Sequence, residues 1–420
     1  MAQALSACSL CDSIKEKLVS PLPLEGDGGG FFYPMTNSKG KGGTVSMRIL
    51  CAALFLCFTF LFLYSYQADV LAVFQHLVSG GRTHYNSFVG AVLITFVLWL
   101  LQVGVFAIAR VTGRAHFMTY IPSLLLLAFL TDVDVNIAEG YSMGWWMLFL
   151  PLGLVVAGVL MWYGKQLEPY EPETPTKGLF SRVTWINVAM LSVMFFFVGM
   201  CSNHNDVFHY RASAECALAD SSYNKALAVG KDAQATDSSL TMIRIYALAM
   251  KGELGERLFE YPIVGGADAM FPNRRSTMFM LYGEDRFYHS LGGHFVQRMN
   301  PERYCNFVLK YGMQTPATRD YLLTYYLLKK DLGKFAKTLA KYYDMKNLPK
   351  HYKEALVLYN HTTSTPVIKY VNDVMEADYQ DFQSIRKQYP HHKEQLFYAH
   401  QTYGKTYWYY YKASPIPSAK

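Results

Sequence analysis

Residues Phe88–Ala109 read FVGAVLITFVLWLLQVGVFAIA, a run without one charged side chain. A helix rises 1.5 Å per residue, so about 20 apolar residues cross a hydrocarbon core ~30 Å thick. Such a helix bonds all of its backbone polar groups internally, which lipid demands and water does not. A helix apolar on every side has no use for water, so this stretch places the chain in a membrane.

Four further stretches share the property. Residues 47–66 qualify with Arg48 reaching toward the headgroups. Residues 144–163 carry Trp145 and Trp146 at one end and Trp162 and Tyr163 at the other, an aromatic belt at both interfaces. Residues 183–200 are uncharged apart from their flanks and hold the Phe195-Phe196-Phe197 cluster. Residues 117–131 are short and contain Pro122. They reach spanning length from Gly113 if Arg114 and His116 snorkel, and a re-entrant segment is the alternative. The expected spans are 47–66, 88–109, 113–131, 144–163 and 183–200.

Flanking charge sets an orientation. With the N-terminus inside, the internal segments carry Lys39, Lys41, Arg48, Arg110, Arg114, Lys165, Lys177 and Arg182, against Arg82 alone in the external loops. Basic residues remain on the cytoplasmic side, so five spans put the C-terminal part outside the cytoplasm.

Residues 1–46 read as a disordered Gly/Pro-rich leader without the layout of a signal peptide. Its Cys8 and Cys11 form a lone C-x-x-C with no second pair to complete a zinc site. Of seven cysteines, Cys216 and Cys305 fall in the C-terminal half and could pair only in an oxidising compartment. The net charge of +7 is interleaved with carboxylates, as on solvated helix faces, and gives no basic patch for nucleic acid.

From Asn203 the pattern turns amphipathic. Leu332, Phe335, Leu339 and Tyr342 share one helical face, and Tyr321, Leu322, Tyr325 and Leu328 share another, with the join at Asp331–Gly333. Ser222–Lys231 pairs with Leu240–Met250, and Tyr379–Gln388 with Glu394–Tyr410 across Tyr389-Pro390. A helical hairpin cannot bury its apolar stripe alone, so pairs must stack. The fold expected is all-α: about five transmembrane helices over 47–200, then a short tetratricopeptide-like α-solenoid over 203–415.

Four stretches carry a resemblance: Tyr223–Gly230 (YNKALAVG), Ala247–Pro262 (ALAMKGELGERLFEYP), Leu348–Tyr359 (LPKHYKEALVLY) and Tyr403–Tyr410 (YGKTYWYY). Together they resemble an uncharacterised family of bacterial multi-span inner-membrane proteins with a tetratricopeptide-like C-terminal domain. The resemblance implies a bacterial inner membrane with the C-terminal domain periplasmic, and it implies no activity.

Two places could carry chemistry. Thr131-Asp132-Val133-Asp134-Val135-Asn136, followed by Glu139, lies between the third and fourth spans. Asp132 and Asp134 could hold a divalent cation against a phosphate, or could simply line a loop from which positive charge is excluded. The run Tyr403–Tyr411 offers Tyr403, Tyr407, Trp408 and Tyr410 as a stacking surface for sugar or peptide, or as packing for the last helix. His289 and His294 are five apart rather than four, so one helical face does not present both. No nucleophile elbow, phosphate loop, metal set or cofactor motif is legible. The expected function is a membrane-anchored scaffold whose extracytoplasmic domain binds another envelope protein or peptide. The alternative is a transferase acting on lipid-linked envelope sugars at Asp132 and Asp134.

Overall fold

A computed structural model describes residues 41–134, 144–170, 180–294 and 297–414. The leader to residue 40, including Cys8 and Cys11, lies outside them, as do Asn136, Glu139 and Lys177. Among the described residues all regular structure is helical.

The first half holds α1 (Lys41–Leu61, continued by a π-helical turn to Tyr66), α2 (Ala68–Val78) and α3 (Ser87–Ala109). A 3₁₀ stretch, Gly113–Tyr120, then leads into α4 (Ile121–Thr131), followed by α5 (Trp146–Leu167) and α6 (Arg182–Cys201). Val45–Tyr66, Ser87–Ala109, Gly113–Thr131, Trp146–Leu167 and Arg182–Cys201 are long and apolar enough to cross a membrane. Phe88, Leu93, Phe96, Phe149, Val155 and Phe196 all stand exposed on these helices. Water-soluble proteins do not leave apolar area of that extent bare, and a bilayer covers it. The chain is a membrane protein.

The third span is the centre of the bundle. Half of its apolar window is buried in the protein, against 11–22% for the other four. It packs on α3, α5 and α6. Polarity is the cause. Gln102 Nε2 donates to Thr119 Oγ1 (3.1 Å), and Ser123 Oγ donates to the Leu98 carbonyl (2.8 Å). Asn187 of α6 accepts from the Phe117 N–H (2.7 Å) and donates to the Gly113 carbonyl (2.9 Å). Each group would cost several kcal/mol unpaired in lipid, so the least apolar span goes inside. Pro122 falls in the first turn of α4, where the N–H it lacks has no intrahelical partner. The segment runs alongside most of α6: Asn187, in the second turn of α6, donates to the Gly113 carbonyl, while Asn203, just beyond its end, donates to the Thr131 carbonyl.

Asn203 joins the two halves. Its N–H donates to the Thr131 carbonyl (3.1 Å) and its side-chain amide to the Val133 carbonyl (2.5 Å). Its own carbonyl accepts from Gln67 Nε2 (3.2 Å). Alongside, Val70 and Val73 of α2 share a buried cluster with Phe208 and Ala212.

The helical domain comprises α7 (Asp206–Ala219), α8 (Tyr223–Ala228), α9 (Ser238–Lys251), α10 (Leu254–Arg257), α11 (Glu284–Ser290) and α12 (Pro301–Lys310). It continues with α13 (Pro316–Leu328), α14 (Leu332–Tyr342), α15 (Lys350–Thr362), α16 (Asp373–Gln388), α17 (His392–Tyr403) and α18 (Tyr407–Ala413). Neighbours α8–α9, α12–α13, α13–α14 and α16–α17 pack as helical pairs. In α14, Leu332, Phe335 and Leu339 face the core as their spacing predicts.

Two local expectations change. The face expected of α13 is only part of its buried surface: from Ala317 to Leu328 every residue but Arg319 is buried. α13 lies under α9, α10, α12 and α14, so it has no solvent face to keep polar. The helix expected over Glu394–Tyr410 is two, α17 and α18. Thr406 caps the second by accepting from the Tyr409 N–H (3.2 Å), which reserves residues 404–406 for a turn. Cys216 and Cys305 are free thiols; Cys305 is buried in the main core, while Cys216 lies beside Asp69 of α2.

Candidate functional site

The four stretches quoted above are far apart in the chain and adjacent in space. Tyr261 OH donates to the Leu227 carbonyl (3.4 Å), joining the first two. A Cβ built on Gly255 would stand 2.7 Å from the Tyr352 ring, and the Phe259 ring lies 4.9 Å from that of His351, joining the second to the third. The fourth is α18 with the turn before it. Glu354, 1% exposed, accepts from the Tyr407 N–H at Oε2 (2.7 Å), and its carbonyl accepts from Trp408 Nε1 (2.7 Å). The same carboxylate oxygen meets His351 Nδ1 at 2.9 Å, while His351 Nε2 accepts from the Phe259 N–H (3.4 Å). The imidazole therefore carries its proton on Nδ1, the tautomer set by its two partners.

These contacts lock α18 against α15 and the α13–α14 turn. Tyr407 OH donates to the Leu327 carbonyl (3.1 Å) and Tyr410 OH to the Leu328 carbonyl (3.2 Å). Lys330, at φ 61° in the turn, donates from Nζ to the carbonyls of Tyr411 (2.8 Å) and Ser414 (2.5 Å). A cation there closes the open carbonyls at the end of α18. Burial, and then the nearby Lys412, holds the Lys330 pKa below the ordinary lysine value.

Of the four aromatic residues expected to form a platform, Tyr407 and Trp408 are buried, at 0% and 2% exposure. Trp408 meets Tyr379 (5.3 Å between ring centroids), Phe382 and Tyr403, and Tyr407 meets Phe259 (5.2 Å). Tyr403 is half-buried against Phe382. Tyr410 is half-buried too, but it lines a cleft of about 680 Å³. Tyr409 lines it as well and packs its ring on His400 (5.2 Å). The floor is Phe259, Tyr261 and Pro262, and the far rim is Lys231, Asp232 and Gln234. His400, Gln401, Thr402 and Lys405 complete the near rim. Lys405 and the far rim escape sequence reasoning, because only the fold brings the α8–α9 loop opposite α18.

Asp132 and Asp134 lie at the membrane end of the helical domain, in a second groove of about 810 Å³. Asp132 Oδ2 accepts from Trp146 Nε1 (2.6 Å). The other walls are the start of α5, with Phe149 and the preceding Trp145, and the end of α6 with the residues that follow it, Met200 to Asn205. His289 and His294, which one helical face would separate, stand with ring centroids 5.6 Å apart. The chain turns back on itself there through Gly292 at φ 87°. Among the described residues no group of three or more His, Cys, Asp or Glu is placed to share a metal ion.

Residues 293–414 match a family of unknown function (DUF6057). No curated protein and no solved structure matches the chain.

Proposed function

We propose that the chain is a membrane-anchored scaffold. In this reading its tetratricopeptide-like domain stands in the periplasm of a bacterial cell and binds an extended segment of another envelope protein. The cleft beside α18 carries the proposal: an aromatic wall faces a rim bearing amides and charges of both signs. Tyrosine rings give contact area at little entropic cost, and mixed polar rims satisfy a peptide backbone. Fixing the wall beforehand reduces the entropy lost on binding, and the Tyr407, Tyr410 and Lys330 contacts do that.

The placement has separate support. Arg48, Arg110, Arg114, Lys165 and Arg182 belong to the bundle end away from the helical domain, and Arg82 to the domain side. That asymmetry favours a cytoplasmic N-terminus and an external domain.

A photo-crosslinking amino acid at position 409 of the full chain, in native membranes, tests the binding reading. One discrete adduct to an envelope protein is expected from 409 and none from Lys337 on the outer face of α14. The yield should fall about tenfold in Lys405→Glu, on the scale of losing one desolvated polar contact. Adducts from 409 with lipid alone, equal adducts from both positions, or an unchanged yield in Lys405→Glu would rule the reading out.

A further inference from the structure

Arg244 of α9 is a buried cation without a counter-charge. It is 1% exposed, and among the described residues no carboxylate lies within ion-pair distance of it. One terminal nitrogen donates to the Gly230 carbonyl (2.8 Å) and the other to Thr236 Oγ1 (3.3 Å), while Nε has no hydrogen-bond partner among the described residues. Asp237, the acid closest in sequence, pairs instead with Arg211 (3.3 Å), itself only 6% exposed. Glu215, near Arg211, is pushed toward its neutral form by burial. Two buried guanidiniums thus share one carboxylate. The excess charge lies next to the cleft beside α18. Its two bonds hold the 230–236 loop, which supplies the far rim, and the Tyr261 ring of the floor is centred 5.3 Å from the guanidinium carbon. On the cleft surface Lys231 and Lys405 have no acidic partner among the described residues, Glu260 is paired with Arg257 (3.1 Å), and Asp232 alone is negative and unpaired.

We infer that the segment held in this cleft is acidic: an extended peptide whose Asp or Glu side chains reach Lys231 and Lys405 while its backbone lies along Tyr409 and Tyr410. The assignment rests on the scaffold reading and adds to it the charge of the partner. Carbonyl and hydroxyl oxygens satisfy donors of Arg244 but do not cancel its charge, and a buried charge left uncancelled is costly. A carboxylate at the rim offsets part of that cost through the protein, where attraction is stronger than across water. Lys231 and Lys405 stand on opposite rims, so they meet carboxylates on different residues of one segment and fix its register as well as its charge. Two exposed lysines by themselves would be ordinary solvated surface. Arg244 buried behind them is not. A neutral glycan would fit the tyrosines but leave all three cations uncompensated.

Photo-crosslinking from position 409 of the full chain in native membranes, repeated in charge variants, tests the inference. Lys231→Glu should lower the adduct yield about fivefold and Asp232→Lys should raise it at least about twofold, the scale of one exposed ion pair lost or made. Lys337→Glu, the same change of net charge away from the cleft, should leave the yield unchanged. Misfolding cannot produce the gain in Asp232→Lys. Mass spectrometry of the adduct should place the crosslink within about six residues, ~20 Å of extended chain, of two or more Asp or Glu. An adduct that persists while the three variants behave alike, or that maps to a segment without acidic residues, overturns the acidic assignment and leaves the scaffold reading standing. An adduct to glycan or lipid in place of protein, or no adduct from 409 at all, removes both.

Discussion

Glu215 on α7 is fully buried, and its two carboxylate oxygens have unequal surroundings. Oε2 accepts from the backbone N–H groups of Met280 (2.8 Å), Leu281 (2.7 Å) and Tyr282 (3.1 Å), while Oε1 has no hydrogen-bond partner among the described residues. Burial raises its pKa above the ordinary 4.5, and the three N–H groups with Arg211 only partly oppose the rise. Burial therefore favours the neutral carboxyl. The folded chain then holds the proton more tightly than the unfolded chain does. The stability this contributes is complete below pH 4.5 and is lost as pH rises through the folded-state value. Glu215→Gln removes the dependence and adds a cost that does not vary with pH. Between pH 4.5 and 7 the thermal midpoint of the variant should gain on that of the native chain. A gap that is constant or widens the other way would show the carboxylate ionised in the fold. Nothing in the local sequence marks Glu215, since its partners lie beyond residue 279.

Among the elements, α10 is only four residues long, too short to hold a helical shape without neighbours. It persists because it fits tightly against α15. The Cβ that Gly255→Ala adds would meet the Tyr352 ring at 2.7 Å and Pro349 Cβ at 3.0 Å. Overpacking of this kind should destabilise the chain by about 1–3 kcal/mol, read as a lower thermal midpoint in detergent. Gly252→Ala is the comparison: it meets no atom, and its φ of 70° alone should cost about 1 kcal/mol. Equal effects at both positions would show that α10 and α15 are not in close contact. Element-level reading worked where one face is polar, as in α14, and where all faces are apolar, as in α3. It failed for α13, whose tyrosines and threonines look amphipathic until the helices around it are known. It also failed at Gly404, where the cap on Thr406 outweighs the helical pattern of the aromatic run.

Over the whole molecule, spans and domain form one contact-linked unit from Gly43 onward, with Asn203 and α2 at the join. The orientation proposed for that unit makes a simple forecast. In bacterial cells, alkaline phosphatase fused after Lys420 should be active and β-galactosidase at the same point inactive. The reverse pair of activities would invert the topology and remove the periplasmic scaffold with it.

Five apolar spans, the change to amphipathic helices near Asn203 and the positions of the basic flanks were all legible from residue order. Transfer of a segment into lipid depends on its own composition, and helical periodicity is local. Which span sits at the centre was not legible, because that follows from pairing Thr119, Ser123 and Asn187 with groups on other helices. Nor was the split within the aromatic run, where Tyr407 and Trp408 hold the helix down and Tyr409 and Tyr410 face the cleft. A side chain's burial is set by what folds over it, and here that is α15 and α16 on one side and the segment around Phe259 on the other.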